Sequence, residues 1–530
     1  MKVLASDLER HLGDPRGNGP GSWSQAVAND EAERFPVEAD ALLTAWGYPR
    51  WLVPEDLGGR LRSFDELLLL GRLVARRDLT LAISTGQSLL GALPVWLAGN
   101  PGQRERLAAR LLGGAAGCLA LTEEAHGSDL AANEVAAEHA EGGWLLDGAK
   151  WCVNNATRGE TLTVLARSDP AGGPRGFSLF LVEKDRAQGL RPHPRLRTHG
   201  IRGADISGAI FERAAVGDAL IGREGHGLDI VLKTLQLSRT LCAAFSLGAA
   251  DSALRLALDF ACSRRLYGAT AWDIPAVRRA LLDAFVDLLA AEMLARACAR
   301  AASVVPGQMS VLSAVSKVVV PALAERILGS CATVLGARHY LREGEAAVFQ
   351  KHLRDHAVVP LFDGSTSVNL YVISGQLERL ASARAAADRV APLFDDRPLP
   401  AFKPGSLTTS NRGEDDVLGS IGELEGALAA AVTAERDAAA ARARDLATAG
   451  VRQDAPERFA AARRHAELTA AAACLHAAAR GGRPAAVCAP AIHRLLGWPA
   501  VDPAGLEADL LVMHREGRLF SAHHDIEGGW

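Results

Sequence analysis

A loop at Leu121–Asp129 combines turn-forming Gly and Ser with carboxylate and hydroxyl side chains. The apolar, strand-like run Cys118–Leu121 precedes it, and Asp147–Gly148 predicts a tight turn in the strand pair that follows. Strands on both sides would hold the loop rigid, so that its backbone N–H groups and hydroxyls point at one ligand. This chemistry suits an anionic group or a polar ring system. We therefore expect a binding loop here.

The segments that must position this loop are of two kinds. From about Gly117 to Gly222, short β-rich runs alternate with turn residues, which predicts a small barrel or sandwich of antiparallel strands. On both sides of that region, apolar residues recur every three or four positions and predict long helices. The predicted helices are Glu31–Trp46, Ser63–Arg76, Gly86–Leu97, Leu228–Tyr267, Ala276–Val305, Val311–Leu335 and Val368–Val390.

These patterns predict an α+β protein that is mostly α. We expect an N-terminal helical domain over residues 1–115, a middle β domain over 116–224 and a C-terminal four-helix bundle over 225–390. Residues 391–416, rich in Pro, Gly, Ser and Asp, are typical of a linker. An α-helical C-terminal extension occupies 417–530, and a packed appendage is favoured over a coiled coil because no heptad persists for three repeats.

Composition excludes several classes of protein. The chain has 530 residues and a formal net charge of −4, so no general basic field attracts nucleic acid. Its eight cysteines are scattered without a C-x-x-C pair, which indicates a reduced, cytoplasmic protein, and its histidines form no metal-binding pattern. The N-terminus is polar and carries charges of both signs, so we expect no signal peptide. No uncharged apolar run approaches the length of a membrane span, so we expect none.

The loop Leu121–Asp129, the strand end Asp147–Trp151 and the order of helix, β and bundle regions resemble the acyl-CoA dehydrogenases over roughly residues 25–385. The resemblance implies FAD-dependent α,β-dehydrogenation of an acyl thioester, presented by CoA or by an acyl carrier protein. A carboxylate would remove the α-proton while the β-hydrogen leaves as hydride to flavin N5. The electron acceptor would be an electron-transfer flavoprotein or oxygen.

The resemblance assigns the general base to the segment Leu361–Ser367, which follows Arg354–Asp355 at the family's distance. Asp363 stands where the family usually has Glu, and its carboxylate reaches roughly 1.5 Å less far because it lacks one methylene. Alternatively, Asp363 only caps the following helix. Arg239 matches a family arginine near the base and would hold the carboxylate if it is buried. The alternative is an exposed helix arginine.

The resemblance also assigns the flavin contacts. They are Leu121, Thr122, Ser128, Cys152, Asn154, Arg264, Tyr267, Ser365 and Ser367. Cys152 replaces the usual Trp on one flavin face and Asn154 replaces the usual Thr, while Pro275 and Gly336–His339 also depart from the family pattern. Arg264 and Tyr267 match residues that reach the FAD of a neighbouring subunit, which implies a homodimer or homotetramer.

Two other functions are compatible with the same residues. One is a flavin-dependent oxidase or monooxygenase on the same fold, favoured by Cys152 in place of Trp and by the C-terminal extension. The other is a flavin-free, non-catalytic homologue, favoured by the altered flavin contacts.

Overall fold

A computed structural model describes residues 2–523 and Ile526. The chain forms two compact units. The sheet unit comprises Ala28–Arg62 and Thr80–Ser238, and the bundle unit comprises the chain up to Val27, Ser63–Leu79 and the chain from Arg239 onward. The predicted α+β, mostly helical class is confirmed.

The first half of the chain contains six helices followed by eight strands. The helices are α1 Lys2–Leu12, α2 Trp23–Glu31, α3 Val37–Trp46, α4 Phe64–Ala75, α5 Leu79–Ala98 and α6 Pro101–Leu112. The strands are β1 Gly117–Ala120, β2 Ala136–Ala140, β3 Gly143–Asn154, β4 Thr161–Arg167, β5 Phe177–Glu183, β6 Gln188–His193, β7 Ile206–Gly217 and β8 Leu220–Ile221.

In the described part of the second half, helices are joined by loops and by one small hairpin, β9 Arg265–Leu266 with β10 Ala269–Thr270. Its helices are α7 Gly227–Leu241, α8 Ala243–Ser263, α9 Pro275–Val304, α10 Met309–Leu335, α11 Ala347–His356, α12 Thr366–Ser374, α13 Leu377–Leu380, α14 Ala391–Phe394, α15 Asp416–Gly419, α16 Ala427–Thr448, α17 Pro456–Ala478, α18 Arg483–Leu496 and α19 Glu507–Arg515.

The sheet unit is built on one mixed sheet in the order β6-β7-β3-β2-β4-β5-β8, with β1 beside β4. Most pairs are antiparallel as expected, but β4 runs parallel to both β1 and β2. The crossover arises because the loop after β1 and the β2–β3 hairpin return the chain to the starting end of the sheet before β4 begins. Buried apolar side chains such as Leu146, Val164 and Phe180 form the core under this sheet.

The tight turn predicted at Asp147–Gly148 is wrong. The hairpin turns at Glu141–Gly142, because Ala140 pairs with Gly143, and Asp147 and Gly148 lie inside β3. The register of β3 against β7 shifts between Leu146 and Gly148, and Gly148 has φ +121°. Glycine accommodates such a bulge without steric cost, so the Asp-Gly pair marks a bulge and not a turn.

The bundle unit is centred on α8, α9 and α10, which pack on one another, with α12 against α10 and α4 against α8 and α9. Extension helix α17 packs on α9, α10, α12, α16 and α18, so the extension is a packed helical body. The region from Ala391 to Asp416 is held as well: Arg300 donates to the carbonyl oxygens of Pro392 and Arg397.

Two helices end earlier than predicted. The run Leu228–Tyr267 breaks at Cys242 and stops at Ser263, because Tyr267 (φ +53°) and Gly268 (φ +86°) make the two-residue turn between β9 and β10. The run Val368–Val390 stops at Ser374. There the Ser374 hydroxyl donates to the carbonyl oxygen of Gln453, a contact with the extension that local periodicity does not encode.

Three helical stretches in the described part of the chain are long and apolar enough to cross a membrane, by length and composition only. They are Leu79–Ala98, Gly227–Ser263 and Pro306–Tyr340. The expectation that no run approaches this length is therefore wrong. Most residues of each apolar window are nevertheless buried within the protein, at 72%, 94% and 56% respectively.

Candidate functional site

Asp363 lies in the turn before α12 with φ +55°, in the left-handed region. Few residue types adopt this conformation, and Asp is among those that do so most readily. Gly364 follows with φ +94°. The half-buried Asp363 carboxylate accepts a contact from the Cys242 thiol, whose Sγ lies 3.6 Å from Oδ2. The turn therefore presents a carboxylate from a strained backbone position, as functional sites often do.

Arg239 is buried at the end of α7, which excludes the exposed alternative. Its Nε donates to the backbone carbonyl oxygen of Asp363 at 2.7 Å. The expectation that the guanidinium holds the carboxylate therefore needs correction, because the hydrogen bond goes to the backbone. Burial lowers the pKa of Arg239, and the nearby Asp363 charge opposes this. Glycine suits this position, because φ is +94° there and a Cβ would lie 2.9 Å from Arg239 Nη2.

Ser365, not Asp363, is the N-cap of α12, and its hydroxyl accepts from the backbone N–H of Val368 at 3.3 Å. The Asn369 side chain donates to the carbonyl oxygens of Gly364 and Ser365 at 2.8 and 3.0 Å. The alternative in which Asp363 only caps the helix is therefore excluded, because the cap position is filled. The carboxylate of Asp363 is left for another role.

In the sheet unit, a buried lysine is hydrogen-bonded to the loop that follows β1. Lys150 Nζ donates to Glu123 Oε1 at 2.7 Å and to the Leu121 carbonyl oxygen at 3.0 Å. Glu123 also accepts from the backbone N–H groups of Glu134 and Val135. Burial lowers the pKa of Lys150 to about 8, although the Glu123 carboxylate opposes the effect. The loop expected from the sequence is thus held at both ends.

The flavin-contact positions of this unit test whether the chain fits FAD. Asn154 is 8% exposed, and neither its amide nitrogen nor its amide oxygen has a hydrogen-bond partner among the described residues. Such an unsatisfied pair is costly unless a ligand supplies the partners. Cys152, with φ +56°, sits on a second bulge of β3 and is exposed, as is Ser128. Thr122 adjoins them through its carbonyl, which accepts from the N–H of Trp151. These residues fit a polar ring system.

In the bundle unit, Arg264 and Tyr267 lie on the exposed hairpin after α8, and Tyr267 is 98% exposed. No ion pair with a described residue involves Arg264, so its guanidinium is available to a phosphate. Ser367 is exposed in the first turn of α12. The ligand roles given to these residues, to Ser365 and to the sheet-unit positions stay predictions.

Sequence reasoning did not identify Cys242 and Lys317 as neighbours of the Asp363 turn, which they contact at Asp363 and Val359 respectively. Cys242 lies at the break between α7 and α8, a position that a continuous helical pattern hides. Lys317 lies within the apolar helix α10 and is 1% exposed. A single lysine in an otherwise apolar helix was a signal for it, because lysine is almost never fully buried without a partner.

In the part of the chain that the structure describes, no group of three or more His, Cys, Asp or Glu residues could hold a metal.

Two family models match this chain. The acyl-CoA dehydrogenase middle domain matches residues 118–214, which contain the loop Leu121–Asp129 and most of the sheet. The acyl-CoA dehydrogenase C-terminal domain matches residues 225–377, which contain Arg239, Arg264 and Asp363.

Whole proteins match as well. A probable acyl-CoA dehydrogenase of Mycobacterium tuberculosis is 28% identical over 67% of this chain and 90% of its own length. The human mitochondrial short-chain specific acyl-CoA dehydrogenase is 28% identical over 67% of this chain and 85% of its own. An acyl-CoA dehydrogenase of Bacillus anthracis, solved with FAD, has the same fold over 97% of this chain and 90% of its own (TM-score 0.74, 18% identity), which includes the extension. The two matched domains, the relatives and the shared fold all point to the acyl-CoA dehydrogenase family of FAD-dependent oxidoreductases that act on the CH–CH group of acyl-CoA.

Proposed function

We propose that this protein catalyses α,β-dehydrogenation of an acyl thioester with Asp363 as the general base. The observation that supports it is the turn around Asp363. Its backbone is fixed by Arg239, and the next helix is capped by Ser365. The carboxylate is therefore not needed to cap the helix, which supports its assignment as the acceptor of a proton from a carbon acid.

Each residue of the turn has a distinct part in this proposal. Asp363 takes the α-proton, and the Cys242 thiol contacts one carboxylate oxygen and leaves the other for the proton. Arg239 keeps the turn in place and contributes a buried positive charge close to the carboxylate that must stay ionised. Bound FAD supplies the two-electron acceptor for the hydrogen that leaves the β-carbon.

Each unit, taken by itself, carries residues that we propose for the cofactor. In the sheet unit, Thr122, Ser128 and Asn154 offer hydroxyls and an unsatisfied amide to the ring and diphosphate. In the bundle unit, Arg264 offers a guanidinium suited to phosphate. We further propose that the thioester is carried by CoA or an acyl carrier protein, and that electrons pass to an electron-transfer flavoprotein or to oxygen.

The test begins with the absorbance spectrum of the purified protein. We expect an oxidised flavin spectrum, and denaturation should release FAD that chromatography identifies. Members of an acyl-CoA panel should then bleach the flavin band under anaerobic conditions in stopped flow. Folded protein that binds no flavin in excess FAD would contradict the assignment, and would favour the non-catalytic alternative.

The matched variant for this test is Asp363→Asn, which keeps the size and the left-handed preference of the side chain. It should retain FAD while its reduction by acyl-CoA slows by about 10²–10⁴-fold, the usual cost of deleting a general base. Reduction of Asp363→Asn at the wild-type rate would exclude Asp363 as the base.

An oxidase is the second candidate, and the exposed Cys152 is the observation that favours it. In the family this position of the strand usually carries a Trp that covers one face of the flavin. The smaller Cys152 would leave that face of the flavin open to oxygen. Mixing the acyl-CoA-reduced protein with air separates the two candidates. Reoxidation within one turnover indicates an oxidase, whereas a long-lived reduced flavin indicates a dehydrogenase that needs a protein acceptor.

A further inference from the structure

Lys317 is a buried cation close to Asp363. Only 1% of the residue is exposed, and its neighbours Val315 and Val318 on α10 are also buried. An ammonium group loses its hydration in such a place and is retained only where contacts compensate. Burial lowers the pKa of Lys317, and the negative charge of Asp363 opposes that effect. The lysine therefore belongs electrostatically to the surroundings of the base.

Its ammonium contacts the Asp363 segment at two points. Lys317 Nζ donates a hydrogen bond to the carbonyl oxygen of Val359, four residues before Asp363. The same nitrogen lies 4.6 Å from the ring centroid of Phe362, the residue directly before the base, within the range of a cation–π contact. Lys317 thus holds the start of the turn, whereas Arg239 holds its end through the Asp363 carbonyl.

Cys242 contacts the carboxylate itself. Its side chain is 2% exposed at the break between α7 and α8, and its Sγ lies 3.6 Å from Asp363 Oδ2. Burial raises the pKa of the Cys242 thiol, so the group stays protonated at neutral pH and acts as the donor. A donor on one oxygen fixes the rotation of the short Asp side chain, which has no second methylene to adjust its reach.

The other titratable group beside Lys317 adds no charge. His356 on α11 interacts with Lys317, and its Nε2 lies 2.9 Å from the Ser246 hydroxyl oxygen. Burial lowers the pKa of His356 to about 3, so its ring is neutral at physiological pH. Arg239 from α7 and Lys317 from α10 therefore both bring positive charge close to the carboxylate.

We propose that Lys317 and Cys242 are positioning residues for the general base. Lys317 fixes the backbone before Asp363, and Cys242 fixes the carboxylate, so that a shortened base in a left-handed turn still points at its substrate. The inference rests on the proposed function of Asp363. It explains why a buried lysine and a buried thiol both contact the segment Val359–Asp363, although helix packing alone requires neither of them.

The first test compares Lys317→Met with Lys317→Arg in the FAD-loaded protein. Met keeps the length and apolar stem but removes the charge and the donor, whereas Arg restores both. In anaerobic stopped flow with the best acyl-CoA of the panel, Lys317→Met should reduce its flavin roughly 10- to 100-fold more slowly, with the substrate Kd within about twofold of wild type. Lys317→Arg should recover part of the rate. Equal rates in Lys317→Met and wild type would overturn the role of Lys317.

The second test uses the thiol and a matched control. Cys298 is also a buried thiol, and it donates to the carbonyl oxygen of Leu312 at 3.4 Å, away from the base. Cys242→Ala should slow flavin reduction about tenfold, as expected for a misplaced base. Cys298→Ala should retain the wild-type rate, and Cys242→Ser, which restores a donor, should exceed Cys242→Ala. Equal rates for the two alanine variants would overturn the role of Cys242.

A third measurement separates this inference from the proposed function. Hydrogen exchange of the backbone amides over residues 357–366 reports the order of the turn without any turnover. We expect faster exchange there in Lys317→Met and unchanged exchange in Cys298→Ala. If no acyl thioester reduces the wild-type flavin, the proposed function fails while exchange still tests the turn. Unchanged exchange in Lys317→Met would overturn the positioning role even if the wild type is active.

Discussion

At the scale of single residues, the conformation of Asp363 and its length belong together. A φ of +55° is tolerated by Asp far more readily than by longer or branched residues. The turn also leaves little freedom beside it, because Gly364 is packed against the Arg239 guanidinium and Cys242 contacts the carboxylate. The site is therefore adapted around Asp, and a longer acid does not simply restore the family's usual geometry.

We predict that Asp363→Glu lowers the rate of flavin reduction, by roughly 10- to 100-fold, because the extra methylene moves the carboxylate away from the Cys242 donor. Stopped-flow reduction by acyl-CoA measures this directly. FAD content and the melting temperature serve as controls for folding. Flavin reduction in Asp363→Glu at the wild-type rate or faster would contradict this prediction. It would show that the site accepts the longer carboxylate and is not adapted to Asp.

Resemblance to short family motifs predicted that Asp363 and a buried Arg239 lie together, and the structure shows the two residues in contact. It did not reach the atom that Arg239 binds, since a motif does not distinguish a backbone carbonyl from a carboxylate. Cys242 and Lys317 were missed for a related reason. Their contacts with Asp363 and Val359 join residues more than 40 positions apart, and such contacts are set by packing, which no local pattern encodes.

At the scale of elements, local periodicity found α9 and α10 almost to the residue, because both are apolar, uninterrupted and bounded by Pro or Gly. It failed where another element decides the boundary. Helix α12 stops at Ser374 beside Gln453 of the extension, whose amide nitrogen donates to the Tyr371 carbonyl oxygen of its last turn. The bulge at Cys152 has the same origin, since the register against β7 imposes it.

Helix α11 carries a buried histidine that makes stability depend on pH. Burial lowers the pKa of His352 to about 3, and neither ring nitrogen has a hydrogen-bond partner among the described residues. The unfolded chain binds a proton below about pH 6.5 while the folded protein does not, so stability falls as pH drops from there towards 3. Each such histidine contributes a slope of about 1.4 kcal/mol per pH unit in that window.

We predict that the melting temperature of His352→Leu falls less than that of wild type between pH 7 and pH 5. The variant lacks the buried histidine, which binds a proton in the unfolded chain but not in the folded protein. Differential scanning fluorimetry of the FAD-loaded protein over that range measures the effect. The matched control is His139→Leu, whose side chain is 71% exposed on β2 and which should follow the wild-type curve. If the melting temperatures of His352→Leu and wild type fell equally with pH, the lowered pKa of His352 would be refuted.

At the scale of the whole molecule, the hairpin after α8 bears on assembly. We predict a homodimer or homotetramer, since Tyr267 is 98% exposed beside Arg264 and both match residues that reach a neighbouring subunit's FAD in the family. Multi-angle light scattering at micromolar concentration measures the mass. Tyr267→Ala should weaken FAD retention on dilution, whereas Tyr340→Ala, also exposed at 82%, serves as the comparison. A monomer that retains FAD would contradict this assembly.

The C-terminal tail closes a buried ionic cluster of the bundle unit. The carbonyl oxygen of Phe520 accepts from Arg72 at 2.7 Å, and its N–H donates to Asp251 at 3.1 Å. Glu292 accepts from the Ser521 hydroxyl and from the Ala522 N–H, both at 2.5 Å. Arg72 pairs with both carboxylates, and all three charged side chains are almost fully buried. The tail thus supplies hydrogen bonds that the charges of α4, α8 and α9 do not supply to one another.

Ending the chain at Gly517 should therefore destabilise the bundle unit severely. Four hydrogen bonds to Arg72, Asp251 and Glu292 would be lost, together with the one that the buried Arg255 donates to the Arg518 carbonyl oxygen. Each buried group left unsatisfied costs about 1–3 kcal/mol. We predict a fall of at least about 5 °C in melting temperature, since 1 kcal/mol shifts a large domain by about 2–4 °C. A chain that ends at Ile526 keeps these contacts and should melt like wild type. Ser521→Ala, which removes one donor, should lie between the two, and equal melting of all forms would show that the cluster is satisfied without the tail.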